Sequence, residues 1–217
     1  MLFRSKAGLL LTLLGVPLLL LLAVVSLQVH RETTPERQSQ TLFDFASMQM
    51  HVDEIKFPAA DGVELEGWWI PADLQSPAIV LCHGVGASKR SVLNLAMELR
   101  ESGFSVLMFD FRGHGSSAGH RSSLGQVEKR DILGAIDWLT GREAAAGPIG
   151  LFGAGMGAHA AVLAAAERRE LDVLVLDGLY PDVGYELVRR VSPDHVWARR
   201  LLALPTAAAY FMLNGAA

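Results

Sequence analysis

The sequence contains one cysteine, Cys82, among 217 residues. A single cysteine excludes an intrachain disulfide and any metal site that needs several thiolates. Cys82 lies within the apolar stretch "AIVLC", so we interpret it as a small buried hydrophobic residue. The composition favours neither a disulfide-stabilised fold nor a metalloprotein, and we expect no metal and no cofactor.

The sequence also lacks a long run of basic residues, an internal repeat and, outside its amino terminus, any low-complexity segment. Its formal net charge is −4 at pH 7. Proteins bind nucleic acid mainly through clusters of lysine and arginine. We therefore expect no nucleic-acid partner.

The amino terminus, in contrast, carries a long apolar run. The 21 residues "AGLLLTLLGVPLLLLLAVVSL", at 7–27, include no charge, and a helix of that length crosses a hydrocarbon core of about 30 Å. A cleaved signal peptide has a shorter apolar core of about 7–15 residues, although Val24 and Ser26 keep cleavage open as an alternative. Arg4 and Lys6 precede the run and favour an amino terminus on the inner side. We expect a single-pass membrane protein whose soluble domain is extracytoplasmic.

Composition divides the chain into four segments. These are a membrane anchor at 1–29, which meets the lipid bilayer, a polar tether at 30–50, an α/β core at 51–178 and a helical segment at 179–217. At the start of the core, apolar and polar residues alternate on both sides of Asp61-Gly62. This pattern predicts a hairpin.

The core then alternates short apolar runs with amphipathic stretches. The runs predict buried strands and the amphipathic stretches predict helices. The predicted strands are 51–57 and 63–70 in the hairpin, then 78–82, 105–110, 149–152 and 173–177, and the predicted helices are 88–101, 124–139 and 156–169. A hairpin followed by β-α units predicts an α/β fold with a mixed, mostly parallel sheet and helices on both faces.

Glycine-rich turns follow the predicted parallel strands. They are "HGVG" at 83–86, "DFRGHG" at 110–115, "GAGMG" at 153–157 and "DG" at 177–178. Because the carboxyl ends of parallel strands meet at one edge of a sheet, where ligands bind, we expect these turns to form one site.

At these turns the chain resembles an α/β hydrolase of the serine aminopeptidase and monoacylglycerol-lipase-like branch. The resemblance is carried by "DGVELEGWWIP", "LCHGVGASK", "DFRGHGSSAG" and "LFGAGMGAHAA", in the family's order and spacing, and covers roughly residues 50–200. It implies the α/β-hydrolase fold for the core and a cap-like role for residues 179–217. It also implies metal-free hydrolysis of an ester or amide through an acyl-enzyme, with a small acyl, ester or peptide-like ligand.

The resemblance assigns roles to individual residues. The backbone N–H groups of Val85 and Met156 correspond to the oxyanion hole, which stabilises the charge that develops in acyl transfer. His83 and His114 correspond to residues that shape the turns. Arg112 corresponds to a brace of its turn.

The nucleophile position departs from the family pattern. The family has G-x-S-x-G at this turn, whereas this chain has Gly153-Ala154-Gly155-Met156-Gly157. Nucleophilic catalysis needs a hydroxyl, thiol or carboxylate at the apex, and Gly155 supplies only hydrogen. We therefore expect hydrolysis to be impaired.

The catalytic acid and histidine of the family follow two further strands, which this sequence does not contain, so we expect a C-terminally incomplete version of the fold. Asp177 and His195 are the remaining candidates for an acid–base pair. The contrasting interpretation places Asp177 at the start of a cap loop and His195 on a cap helix.

Two other functions stay open. One is a non-catalytic module that binds a ligand or acts as a scaffold. The other is dinucleotide binding, because Gly153, Gly155 and Ala158 fit G-x-G-x-x-A between a strand and a helix, and Asp177 ends the next strand.

Overall fold

Residues 6–37, 51–73, 75–141, 147–191 and 196–214 are described by the computed structural model. Most of the predicted tether, residues 38–50, lies outside the described residues. The strands are β1 (Asp53–Pro58), β2 (Glu64–Ile70), β3 (Ala78–Cys82), β4 (Ser105–Phe109), β5 (Ile149–Ala154) and β6 (Leu171–Asp177). The helices are α1 (Lys6–Glu32), α2 (Leu93–Glu101), α3 (Lys129–Thr140), α4 (Met156–Ala165), α5 (Val183–Val191) and α6 (Val196–Asn214).

The six strands form one mixed sheet in the order β1-β2-β4-β3-β5-β6. β1 pairs with β2, and β2 with β4, in antiparallel orientation. β4, β3, β5 and β6 are parallel to one another. The prediction of an amino-terminal hairpin joined to a mostly parallel sheet is confirmed.

Helices pack on both faces of the central strands, which are apolar on both sides, whereas β6 at the edge leaves Val173, Leu174 and Val175 exposed. The adjacent residues Trp68 and Trp69 pack on opposite faces. The face that carries Trp69 packs against α3 and α4, with a buried core that includes Phe57, Val80, Leu107, Phe109, Ile132, Ile136, Leu151 and Ala161. The other face packs against α2, with Ile70, Leu81, Val92, Leu93, Ala96, Val106 and Met108.

The helix predicted at 124–139 corresponds to α3, but its predicted start at Leu124 is wrong, since α3 begins at Lys129. Leu124 has a φ of 56°, which a right-handed helix does not allow. The segment before α3 is held as a loop by the buried carboxylate of Glu128, which accepts hydrogen bonds from the amides of Ser123 and Gly125 at 2.8 and 2.9 Å. A side chain therefore replaces the helical hydrogen bonds of these residues.

The chain divides into two compact units, residues 33–183 with the sheet, and residues 1–32 together with 184–217. Within the second unit, α1 and α6 pack against each other. Arg190 of α5 forms an ion pair with Glu32 at the end of α1, at 3.2 Å. The stretch Leu13–Glu32 is long and apolar enough to cross a membrane, with a mean hydropathy of 2.2.

Candidate active site

The turns that follow β3, β5 and β6 meet at the carboxyl edge of the sheet. The Gly155 amide donates a hydrogen bond to the Asp177 carbonyl oxygen at 2.8 Å, which ties the turn after β5 to the end of β6. A Cβ atom added to Gly84 would lie 3.5 Å from the Ala154 carbonyl oxygen, so the turn after β3 is also adjacent. The parallel strands bring these segments together.

The outer glycines of "GAGMG" are required by close packing. A Cβ at Gly153 would lie 2.6 Å from the Cα of Ala158, inside normal contact distance. A Cβ at Gly157 would lie 2.7 Å from the His83 carbonyl oxygen and nearer still to that of Cys82. These two glycines therefore let α4 start directly against β5 and β3.

Gly155, between them, is different. It caps α4 with φ 52° and ψ −109°, a conformation that side chains rarely adopt. A Cβ at this position would meet no atom within 4 Å. Packing therefore leaves open space for a side chain at the apex of the turn, and the sequence supplies none.

Met156 is the first residue of α4, so its amide belongs to the helix turn whose N–H groups have no intrahelical acceptor. Its side chain is buried, and its sulfur lies 3.1 Å from the Ser122 hydroxyl oxygen. The positive end of the helix dipole lies at the same place. An anion at this turn would meet a favourable electrostatic environment.

Val85 lies in the turn after β3 and packs against the core. The Ala87 amide donates to the Gly84 carbonyl oxygen at 3.2 Å, and Gly86 has a φ of 73°. Val85 and Gly86 are thus the central residues of a tight turn, whose third position requires glycine because of its positive φ.

His83 is fixed as a neutral structural residue. Its Nε2 accepts a hydrogen bond from the Phe111 amide at 3.1 Å, so Nδ1 carries the proton and donates to the Gly84 carbonyl oxygen at 2.8 Å. Burial, together with the nearby His114, lowers the pKa of His83 to about 4. The Nε2 contact joins the end of β3 to the turn after β4, whereas the Nδ1 contact stays within the turn after β3.

Arg112 braces the turn after β4. Its guanidinium binds both oxygens of Asp61 at 2.7 and 2.8 Å and one oxygen of Asp131 at 2.6 Å. Its amide donates to the other Asp131 oxygen at 2.9 Å. His114 donates from Nδ1 to the Arg112 carbonyl oxygen at 2.9 Å, and burial lowers the pKa of His114.

A buried ion pair lies at the same edge of the sheet, and it was not predicted from the sequence. Lys89 donates to Asp110 through Nζ at 2.6 Å and through its amide at 2.7 Å. Both side chains are almost completely buried, and the ammonium lies 5.0 Å from the centre of a Trp68 ring. Burial alone would raise the pKa of Asp110, but the charge and hydrogen bonds of Lys89 lower it below its usual range. An aspartate directly after four apolar residues was the available signal.

The segment before α3 was missed as well, and it contacts the start of α4. Ser122 donates to Glu128 at 2.9 Å in addition to its contact with Met156. Tyr180 donates from its hydroxyl to the Leu124 carbonyl oxygen, and its ring stacks on His159 of α4 at a centroid distance of 4.8 Å. These contacts join the segment before α3 and Tyr180 to α4.

The structure places Asp177 at the end of β6, opposite Ala154 of β5, with an exposed side chain. His195 lies outside the described residues, so the predicted Asp177–His195 pair stays a prediction. Ala158, of the alternative dinucleotide pattern, is buried in α4. Within the described ranges, no group of three or more His, Cys, Asp or Glu residues is arranged to hold a metal ion.

The sheet order and the turns at its carboxyl edge define a protein of the α/β-hydrolase fold. A family model described as serine aminopeptidase, S33, matches residues 75–203. The chain belongs to this family of α/β hydrolases.

The chain is also similar to curated relatives. An uncharacterized protein of Mycobacterium tuberculosis is 35% identical over 111 residues, which are 50% of this chain and 39% of the relative. One of Bacillus subtilis is 32% identical over 115 residues, 53% of this chain and 38% of the relative. The matched part of the chain thus spans well under half the length of these relatives.

Among solved structures, an esterase of Pyrococcus furiosus is 26% identical with a TM-score of 0.58, over 64% of this chain and 55% of the esterase. A lidless serine hydrolase of Xanthomonas campestris is 25% identical with a TM-score of 0.51, over 63% of each chain.

Proposed function

We propose that this chain is a membrane-anchored member of its family that binds an acyl, ester or peptide-like ligand but hydrolyses it poorly or not at all. The observation that carries the proposal is Gly155. Esterase-type chemistry in this fold begins with attack by a side-chain nucleophile, and the position at the apex of the turn offers only a hydrogen atom.

Steric crowding does not account for the glycine at this position. Gly153 and Gly157 are required by their neighbours, whereas a Cβ at Gly155 would meet open space. The cost of a side chain there is confined to the backbone conformation, about 1–3 kcal/mol. Glycine at residue 155 relieves that strain and removes the reacting atom in one change.

The proposed ligand contacts are the amides of Val85 and Met156, which would receive a carbonyl or carboxylate oxygen as an oxyanion hole does. Met156 opens α4, where backbone N–H groups and the helix dipole favour a negative oxygen. His83 uses both ring nitrogens in hydrogen bonds to the backbone, and His114 is buried away from solvent, so we assign neither of them the role of base. Asp177 with His195 stays the proposed acid–base pair.

Helix α1 supports the membrane anchor by length and composition. We propose a single-pass topology with the amino terminus inside and residues 51–178, the α/β-hydrolase core, outside the cytoplasm. In the same proposal residues 179–217 are the cap-like segment.

The test is hydrolysis of p-nitrophenyl butyrate by the full chain in detergent, with Gly155→Ala as the matched control. The unsubstituted chain and the control should give the same background rate, because neither has a nucleophile at residue 155. A rate for the unsubstituted chain that exceeds the rate of the control would overturn the proposal. Activity gained by Gly155→Ser would assign the loss to the hydroxyl alone.

Ligand binding is tested separately by thermal shift. Butyrate should stabilise the full chain, and Met156→Pro should abolish the shift, since proline is tolerated at the first position of a helix but lacks the N–H. Met156→Ala removes the same side chain, keeps the amide and should retain the shift. Stabilisation by NAD but not by butyrate would favour the dinucleotide alternative instead.

A further inference from the structure

Helix α6 exposes a row of apolar side chains. Leu204, Phe211 and Met212 are 83%, 59% and 82% exposed, and Ala208 between them is exposed as well. At 100° per residue, these four residues fall within an arc of about 100° on one side of the helix. They form a continuous surface, which we call the α6 apolar face.

The opposite side of α6 is already used. Thr206, Ala209 and Tyr210 are buried, and α6 packs against α1. Val25 and Val29 of α1 are buried as well. The α6 apolar face therefore lies on the side of α6 opposite the residues that are buried in this unit.

Helix α1, which packs against α6, also exposes apolar side chains. Leu18, Leu19, Leu20 and Val24 of α1 are each more than half exposed. In water such a surface would be costly, at about 25 cal/mol for every square ångström of apolar area. A bilayer that contains α1 would also contact α6, because the two helices are neighbours.

Charge and length limit how far α6 can enter. Residues 201–214 contain no charged side chain, and Arg200, just before them, is exposed. The apolar stretch Leu202–Asn214 would extend about 20 Å as a helix, too short to cross a core of about 30 Å. An apolar segment of this length with an arginine at its start suits one leaflet, with the charge at the headgroups.

We propose that α6 is a second membrane-contacting element, whose apolar face binds the acyl chains of the leaflet next to the carboxyl end of α1. The proposal rests on the membrane anchoring by α1 proposed above. It assigns to the segment after the hydrolase core a fixed attachment to the lipid surface, in addition to the anchor.

The test uses variants of the full chain with one added cysteine each, labelled with an environment-sensitive fluorophore and placed in phosphatidylcholine–phosphatidylglycerol vesicles. Met212→Cys reports on the α6 apolar face, Leu19→Cys on α1 and Glu98→Cys on an exposed position of α2. The unsubstituted chain is the labelling blank, because burial raises the pKa of the Cys82 thiol and keeps it unreactive. Quenching is measured with doxyl-labelled lipid and with aqueous iodide.

We expect the labels at 212 and 19 to be quenched severalfold more by the doxyl lipid than the label at 98, and less by iodide. Iodide quenching at 212 equal to that at 98, with the label at 19 still in lipid, would overturn the α6 proposal alone. Iodide quenching at both 212 and 19 would overturn the anchoring by α1 as well. Protection at 212 from both quenchers would indicate a protein contact, such as a second copy of the chain, and would also overturn the proposal.

Discussion

Replacement of Gly157 by alanine tests whether α4 starts in close contact with β3. A Cβ at this position would lie 2.7 Å from the His83 carbonyl oxygen and closer to that of Cys82. Cys82 is the last residue of β3, which is paired with β4 and β5 on its two sides. Neither oxygen can move without disturbing the centre of the sheet.

The expected loss of stability in Gly157→Ala follows from the rigidity of the backbone at the end of β3. Overpacking costs about 1–3 kcal/mol, and contact with backbone atoms of a central strand places Gly157→Ala near the top of that range. Alanine regains up to about 1 kcal/mol through its helix propensity. The net loss of about 2 kcal/mol corresponds to a fall in Tm of roughly 4–8 °C for a domain of this size.

Gly84→Ala is the matched control at the same edge of the sheet. Its Cβ would meet the Ala154 carbonyl oxygen at 3.5 Å, an ordinary contact, so its Tm should stay within about 2 °C of the unsubstituted chain. The Tm of both variants is measured by thermal unfolding of the full chain in detergent. Unfolding is monitored by tryptophan fluorescence, to which the buried Trp68 and Trp69 contribute. A Gly157→Ala chain as stable as the Gly84→Ala chain would refute the close contact between α4 and β3.

Three further predictions concern charge and burial. Lys89→Met should lower the free energy of unfolding by about 3–5 kcal/mol in urea denaturation, because it leaves the buried Asp110 without its cation. Arg112 lowers the pKa of Asp61 from 3.8 to about 2, so the pair stabilises the fold above pH 4, and this contribution is lost as the pH falls from about 4 to 2. Because Asp61 is largely exposed, Asp61→Asn should reduce the difference in stability between pH 6 and pH 3 by less than about 1 kcal/mol. The Cys82 thiol should react with a disulfide reagent only after unfolding, as a thiol assay with and without denaturant would show.

The sheet was predictable from the sequence because its central strands are short, continuous apolar runs. The run 78–82 corresponds to β3 as the structure has it, and the alternation around Asp61-Gly62 gave the hairpin of β1 and β2. The rule that parallel strands end at a common edge predicted that the turns after β3, β5 and β6 would meet. These features depend on local pattern and on general topology.

The supporting contacts of the site could not be predicted in the same way. The amide and ammonium of Lys89 reach Asp110 across 21 residues, and that meeting depends on how β3 and β4 pair. The left-handed conformation of Leu124 depends on the hydrogen bonds collected by Glu128, which an apolar periodicity does not encode. The fixed tautomer of His83 likewise requires the Phe111 amide from the turn after β4.

Treatment of the full chain with a fluorophosphonate, followed by intact-protein mass spectrometry, tests the central claim most directly. Such a reagent attaches covalently to an activated serine of a hydrolase. With Gly155 at the apex of the turn, the unsubstituted chain should acquire no adduct. A stoichiometric adduct on any serine of the unsubstituted chain would contradict the account, since an activated nucleophile would then be present in this protein.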